Sequence, residues 1–126
     1  MRPSYLLDST VLIDHLRGFG EATRWLERLR EGEAVISVIT RAEVLCGETD
    51  EEALAAYELC ERFECPPLTK DIATRAAELR RKNGWKLPDA FQAAMAMRTG
   101  LKLVTRNTRD FDQKRCPFVL IPYRLG

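Results

Sequence analysis

The 126 residues are enough for one domain with a real core and too few for two, and nothing in them approaches the ~20 apolar residues of a membrane span or the basic-then-apolar pattern of a leader, so a single cytoplasmic domain over 1–126 is expected. Cys46, Cys60, Cys65 and Cys116 form no C-x-x-C pair and His15 is the one histidine, which argues against zinc and leaves carboxylate oxygens, hence magnesium or manganese, for any bound cation. The net charge of +1 conceals an asymmetry, since residues 1–69 carry 7 Lys and Arg against 14 Asp and Glu, whereas 70–126 carry 13 against 5; the basic half suits a polyanionic partner.

Tyr5-Leu6-Leu7 reads as a buried strand of a parallel sheet that ends abruptly in Asp8, with Ser9 or Thr10 available to cap a helix through Val11, Leu12, Ile13 and Leu16. Taken alone, Asp8 is read first as a turn residue that helps to cap that helix. Phe19 to Arg30 has the spacing of an amphipathic helix, and Ala34 to Ile39 that of a second buried strand. Thr40-Arg41-Ala42-Glu43 has the form of a capping box, which would give Glu43 a structural role at a helix start. Thr49 and Glu52 form another, opening a helix with Leu54, Tyr57 and Phe63 inward.

Pro66-Pro67 limits the Glu64–Leu68 stretch to a short edge strand. Thr69 then caps a helix that buries Ile72, Ala73, Ala76 and Leu79, loads its last turn with Arg80-Arg81-Lys82, and stops at Asn83-Gly84. If that helix descends from the carboxyl edge of the sheet, an extended stretch through Trp85 and Lys86 must climb about 20 Å back. Pro88 opens an almost wholly apolar helix from Asp89 to Thr99; Leu101–Thr105 and Phe118–Ile121 are strands flanking the polar Arg106–Phe111 loop. The alternation describes an α/β domain.

Asp8, Glu43, Asp89 and Asp110 each fall at a strand end or at the start of the next helix, which places them on one edge of a parallel sheet, where such folds bind ligands. Unit charges 4 Å apart repel by about 4 kcal/mol at an effective dielectric near 20, so four acids there call for a divalent cation or a shared proton.

The stretches Leu7–Asp14, Ser37–Gly47, Leu87–Ala90 and Val104–Phe111 together resemble the PIN domain, and most closely the VapC-type toxins of prokaryotic toxin–antitoxin pairs. The resemblance implies a parallel sheet of order 3-2-1-4-5 between helices on both faces. It implies magnesium or manganese held by Asp8, Glu43 and Asp89, with a fourth ligand from the loop, Asp110 rather than Asn107. Thr10 and Thr105 would support the metal site. The implied activity is endonucleolytic cleavage of single-stranded RNA, inhibiting translation, and the implied partners are a small VapB-like antitoxin and a second copy of the chain. Lys86, Arg106 and Arg109, with Arg80 to Lys82, would line the RNA path, and Trp85 would either stack on a base or pack in the core. Two other readings compete. A phospho-acceptor module would need adjacent acids after the first strand, where Ser9 and Thr10 stand; a catalytically silent PIN-fold subunit would have lost the acids that are present.

Overall fold

The computed structural model describes residues 2–47 and 49–125; Glu48 and the two ends of the expected 1–126 domain, Met1 and Gly126, lie outside them. The elements run β1 (Tyr5–Leu7), α1 (Ser9–Leu16), α2 (Gly20–Glu27), β2 (Ala34–Ile36), α3 (Val38–Leu45), α4 (Asp50–Cys60), α5 (Lys70–Asn83), α6 (Leu87–Thr99), β3 (Lys102–Val104) and β4 (Val119–Leu120). The strands form a parallel sheet of order β2-β1-β3-β4, with Leu6 opposite both Val35 and Leu103, and Leu7 opposite both Ile36 and Val104.

Because successive strand residues face opposite sides, these registers sort the core into two layers. Leu6, Val35, Leu103 and Val119 meet α5 and α6 through Ile72, Ala76, Leu79, Ala93, Ala94 and Met95. Leu7, Ala34, Ile36 and Val104 meet the other helices through Val11, Leu12, Leu26, Val44, Ala56 and Leu59. Helices therefore cover both faces, as the α/β reading requires.

The fifth strand expected at Glu64–Leu68 shrinks to one parallel bridge between Val35 and Glu64, with the Ile36 N–H donating to the Glu64 carbonyl at 3.0 Å. Pro66 and Pro67 lack the N–H groups that would extend it. The position beside β2 is kept, and the strand is not.

The expected descent of α5 is also corrected. Only Gly84-Trp85-Lys86 separates the 14-residue α5 from α6, and Asp71 near the start of α5 lies 3.9 Å from Arg98 near the end of α6. The two helices form an antiparallel hairpin. Gly84, in the left-handed region at φ 72°, ends α5 at the edge where α6 begins, so no long extended climb is needed to place Asp89.

Helix α3 differs from expectation at its start. Ser37, rather than Thr40, is the N-cap, its Oγ accepting from the Thr40 N–H at 3.1 Å, so β2 ends at Ile36 instead of Ile39. Glu43 then falls in the second turn and completes no capping box. The Thr49–Glu52 box is present in both directions. On α4, however, Leu54 and Tyr57 turn outward, because Ala56, Leu59 and Cys60 form the face that packs inward; the Arg41 guanidinium lies over the Tyr57 ring.

Replacing Ser37 removes both a cap and a buried hydroxyl, so Ser37→Ala lowers the unfolding free energy by about 2–3 kcal/mol in urea titrations. Glu43→Gln, outside any cap, stays within about 0.5 kcal/mol of the parent.

Candidate active site

β1 and β3 are neighbours where the winding of the sheet reverses, and their carboxyl ends open the crevice. Asp8 continues the ladder by one bond, its N–H donating to the Val104 carbonyl at 2.9 Å, and stands at the N-cap position of α1 without making a side-chain cap bond. Its carboxylate, 6 % exposed, is instead an acceptor for three side chains. Thr105 Oγ1 and Thr10 Oγ1 donate to Oδ2 at 2.7 and 3.0 Å, and Gln92 Nε2 donates to Oδ1 at 3.3 Å. The turn reading of Asp8 therefore accounts for its position in the chain but not for its contacts.

Gln92 ties the site into the core. Its Nε2 also donates to Thr40 Oγ1 at 2.6 Å, its Oε1 accepts from Ser37 Oγ at 2.7 Å, and Thr40 Oγ1 in turn donates to the Leu7 carbonyl at 3.0 Å. Ser37, Thr40, Gln92 and Thr105 are all buried, and among the described residues no buried side-chain N or O lacks a partner. A satisfied polar network of this kind sets one orientation for Asp8.

The other acids surround this fixed carboxylate. Glu43, on the exposed side of α3, accepts from Ser9 Oγ at 3.1 Å; partial desolvation raises its carboxyl pKa, the Ser9 bond opposes the rise and the charge of Asp8 adds to it. Asp89, half-buried in the first turn of α6, is pushed from 3.8 up to about 6 by burial first, then by the charges of Asp8, Asp110 and Glu43, against the pull of Lys86. Asp110 is exposed; its Oδ2 accepts from Asn107 Nδ2 at 3.0 Å while its N–H donates to Asn107 Oδ1 at 3.2 Å. Asn107 thus engages Asp110 at both its carboxylate and its backbone N–H. The acids share an edge without closing round a point: among the described residues no three His, Cys, Asp or Glu side chains are grouped tightly enough to enclose a metal ion as they stand.

Of the residues expected along an RNA path, Lys86 and Arg109 are exposed beside the acids. Arg106 is not available there. Its Nε and Nη2 donate to Asp14 at 2.6 and 2.9 Å, and Tyr123 Oη adds a bond to the same carboxylate at 2.8 Å, so Asp14, 1 % exposed, is neutralised inside the protein. Burial and the bond to Asp14 push the Tyr123 phenol well up from its usual value. Arg80 donates to the Trp85 carbonyl at 2.7 Å, and half-buried Trp85 packs edge-to-face on Phe111 at 5.1 Å, so its ring is held by core contacts while part of it stays at the surface.

A family model described as the PIN domain matches residues 5–115. The chain belongs to the PIN-domain family. Ribonuclease VapC10 of Mycobacterium tuberculosis is 36% identical over 94% of this chain and 96% of its own length. A toxin–antitoxin complex from Klebsiella pneumoniae contains a chain of TM-score 0.86 and 36% identity, covering 97% of this chain and 100% of that one. DNA-bound VapBC from Salmonella typhimurium aligns at TM-score 0.72 with 27% identity, over 93% of this chain and 95% of that one.

This PIN domain holds its edge with residues that sequence reasoning passed over: Gln92, Ser37, Asp14 and Tyr123. Gln92 had a visible signal, being the polar exception on an apolar helix, three residues after Asp89 and so on the same face. Asp14 and Tyr123 meet only through tertiary folding.

The Asp14 pairing makes Arg106 structural in this PIN domain. Arg106→Gln lowers the unfolding free energy by about 2 kcal/mol, the scale of a hydrogen bond to a charged group, while Arg109→Gln changes it by less than about 0.5. Equal effects in urea denaturation would contradict the assignment.

Proposed function

We propose that this PIN domain is a magnesium- or manganese-dependent endoribonuclease that cleaves single-stranded RNA, with Asp8, Glu43, Asp89 and Asp110 as its metal-holding and catalytic acids. The observation that carries the reading is Asp89, whose proton affinity is raised toward neutrality by burial and by three other carboxylates, with Lys86 as the opposing cation. An all-carboxylate donor set without nitrogen or sulfur suits a hard divalent cation. Glu43 and Asp110 are exposed, so packing does not restrict the rotamers they would use to ligate. When bound, the cation supplies acidification of a water and neutralisation of the charge that develops on the phosphodiester and its leaving 3′-oxygen.

The residues of this chain supply the rest. Thr105, Thr10 and Gln92 donate to Asp8 and so keep its oxygens in one orientation, whereas Asp110 accepts a single exposed side-chain bond, from Asn107. Asp89, half-buried and adjacent, is the acid suited to take up a proton at its carboxylate oxygens near neutral pH. The likeness to a ribonuclease and to chains of toxin–antitoxin complexes supports assigning the role of toxin to this protein, acting in the cytoplasm by blocking translation and restrained by a small VapB-like antitoxin. A homodimer accompanies this assignment.

Purified protein freed of any antitoxin is expected to cut total RNA into discrete fragments in magnesium or manganese and not in chelator. Asp8→Asn and Asp89→Asn abolish cleavage with the fold intact, and Thr105→Val, which only removes a donor to Asp8, lowers it by about 10–100-fold. No cleavage in either metal would replace this reading with that of a silent PIN-fold subunit.

A further inference from the structure

We propose that a basic cleft beside Asp110 seats the single-stranded RNA flanking the scissile bond, through phosphate contacts from Lys82, Arg109 and Arg115; the proposal rests on the nuclease reading above. The cleft has a volume of about 500 Å³ and lies between the end of α5, Met97 of α6, and the segment from Arg109 to Phe118. Its size is that of a small-ligand site, but it is open, as a strand that passes through would require.

Three features select the occupant. The first is continuity: Asp110 belongs both to the acid edge and to the cleft wall, and Trp85 Nε1 donates to the Asp110 carbonyl at 3.1 Å, joining the two. The second is charge. Arg75, Lys82, Arg109 and Arg115 line the cleft against Asp110 and Asp112, and only Arg75 among these cations has an ion pair within the described residues, with Glu78 at 3.1 Å. The dipole of α5 favours a cation at Lys82 whatever the function. It does not explain why Arg109 and Arg115, from a separate segment, converge on the same opening. The third is the wall between them, where half-buried Trp85 and Phe118 flank Phe111 in edge-to-face contacts of 5.1 and 6.4 Å. Cations along an open groove with rigid aromatic edges are the combination that binds single strands without reading their sequence. An acidic protein segment would use the cations but gain less from the aromatic wall.

The hairpin of α5 and α6 is what makes this possible. Because α5 ends at the carboxyl edge, its basic last turn stands next to the acids, and RNA anchored there would enter the site from the α5 side.

The test compares the wild type with Lys82→Glu/Arg115→Glu and with Arg28→Glu, an exposed control on the far helical layer. Fluorescence anisotropy with a long and a minimal labelled oligoribonucleotide, in chelator to prevent cleavage, gives Kd as a function of salt. The wild type is expected to prefer the long RNA. The double variant loses that preference, and its plot of log affinity against log salt becomes shallower by about 1.4, or ~0.7 for each phosphate contact removed. Arg28→Glu behaves as the wild type. Unchanged length preference and slope in the double variant would overturn the proposal, as would retention of RNA binding with loss of binding to an acidic peptide. Cleft-dependent RNA binding without cleavage in either metal would overturn the nuclease reading alone.

Discussion

Repulsion among like charges at the carboxyl edge of the sheet is the constraint around which this PIN domain is built. Parallel strands all end on the same side, so the acids that follow them or open the next helix gather whether or not that is favourable by itself. Among the described residues no cation forms an ion pair with these acids. Arg106, the nearest candidate from the β3 loop, is turned away to Asp14, and Lys86 acts only on the flank of Asp89. On the proposed reading, charge compensation at the centre falls to a bound divalent cation.

What the fold does supply is orientation. Asp8 is the fixed point, and the groups that hold it come from α1, α6 and the end of β3, while Ser37 and Thr40 of the β2–α3 junction hold Gln92 in turn. The Arg106–Asp14–Tyr123 cluster extends this outward: the Arg106 N–H donates to Thr10 Oγ1 at 3.1 Å, so the salt bridge also places a donor to Asp8. A polar network that is fully satisfied can be rigid in an otherwise apolar core, and rigidity at Asp8 lets exposed Glu43 and Asp110 remain adjustable.

Much of this was legible from the chain. The acids stood out because each follows a β-rich run or opens a helix, and the order of motifs carried the family resemblance along nearly the whole length. The errors have physical causes. Ser37 and Thr40 are both good caps three residues apart, and the choice fell to Ser37 because Thr40 is recruited by Leu7 and Gln92. The direction of α5 turned on whether Glu64–Leu68 is a strand, which Pro66 and Pro67 reduce to a bridge. Arg106 and Arg109 are indistinguishable by local pattern; only partners 92 and 109 positions from their contacts, Asp14 to Arg106 and Asp14 to Tyr123, separate a structural arginine from a free one.

The most direct test of the account is thermal stability from pH 4 to pH 8, in chelator and in manganese, for the wild type and Asp89→Asn. An acid whose pKa is raised from 3.8 to about 6 on folding binds more protons in the folded state, so its contribution is favourable below pH 4 and is lost as pH rises through 6. In chelator the wild type is expected to lose melting temperature relative to Asp89→Asn across this window, and manganese at pH 7 to restore the wild type more than the variant. Parallel profiles with no differential effect of manganese would show that the carboxylates neither strain one another nor share a cation, and would contradict this expectation.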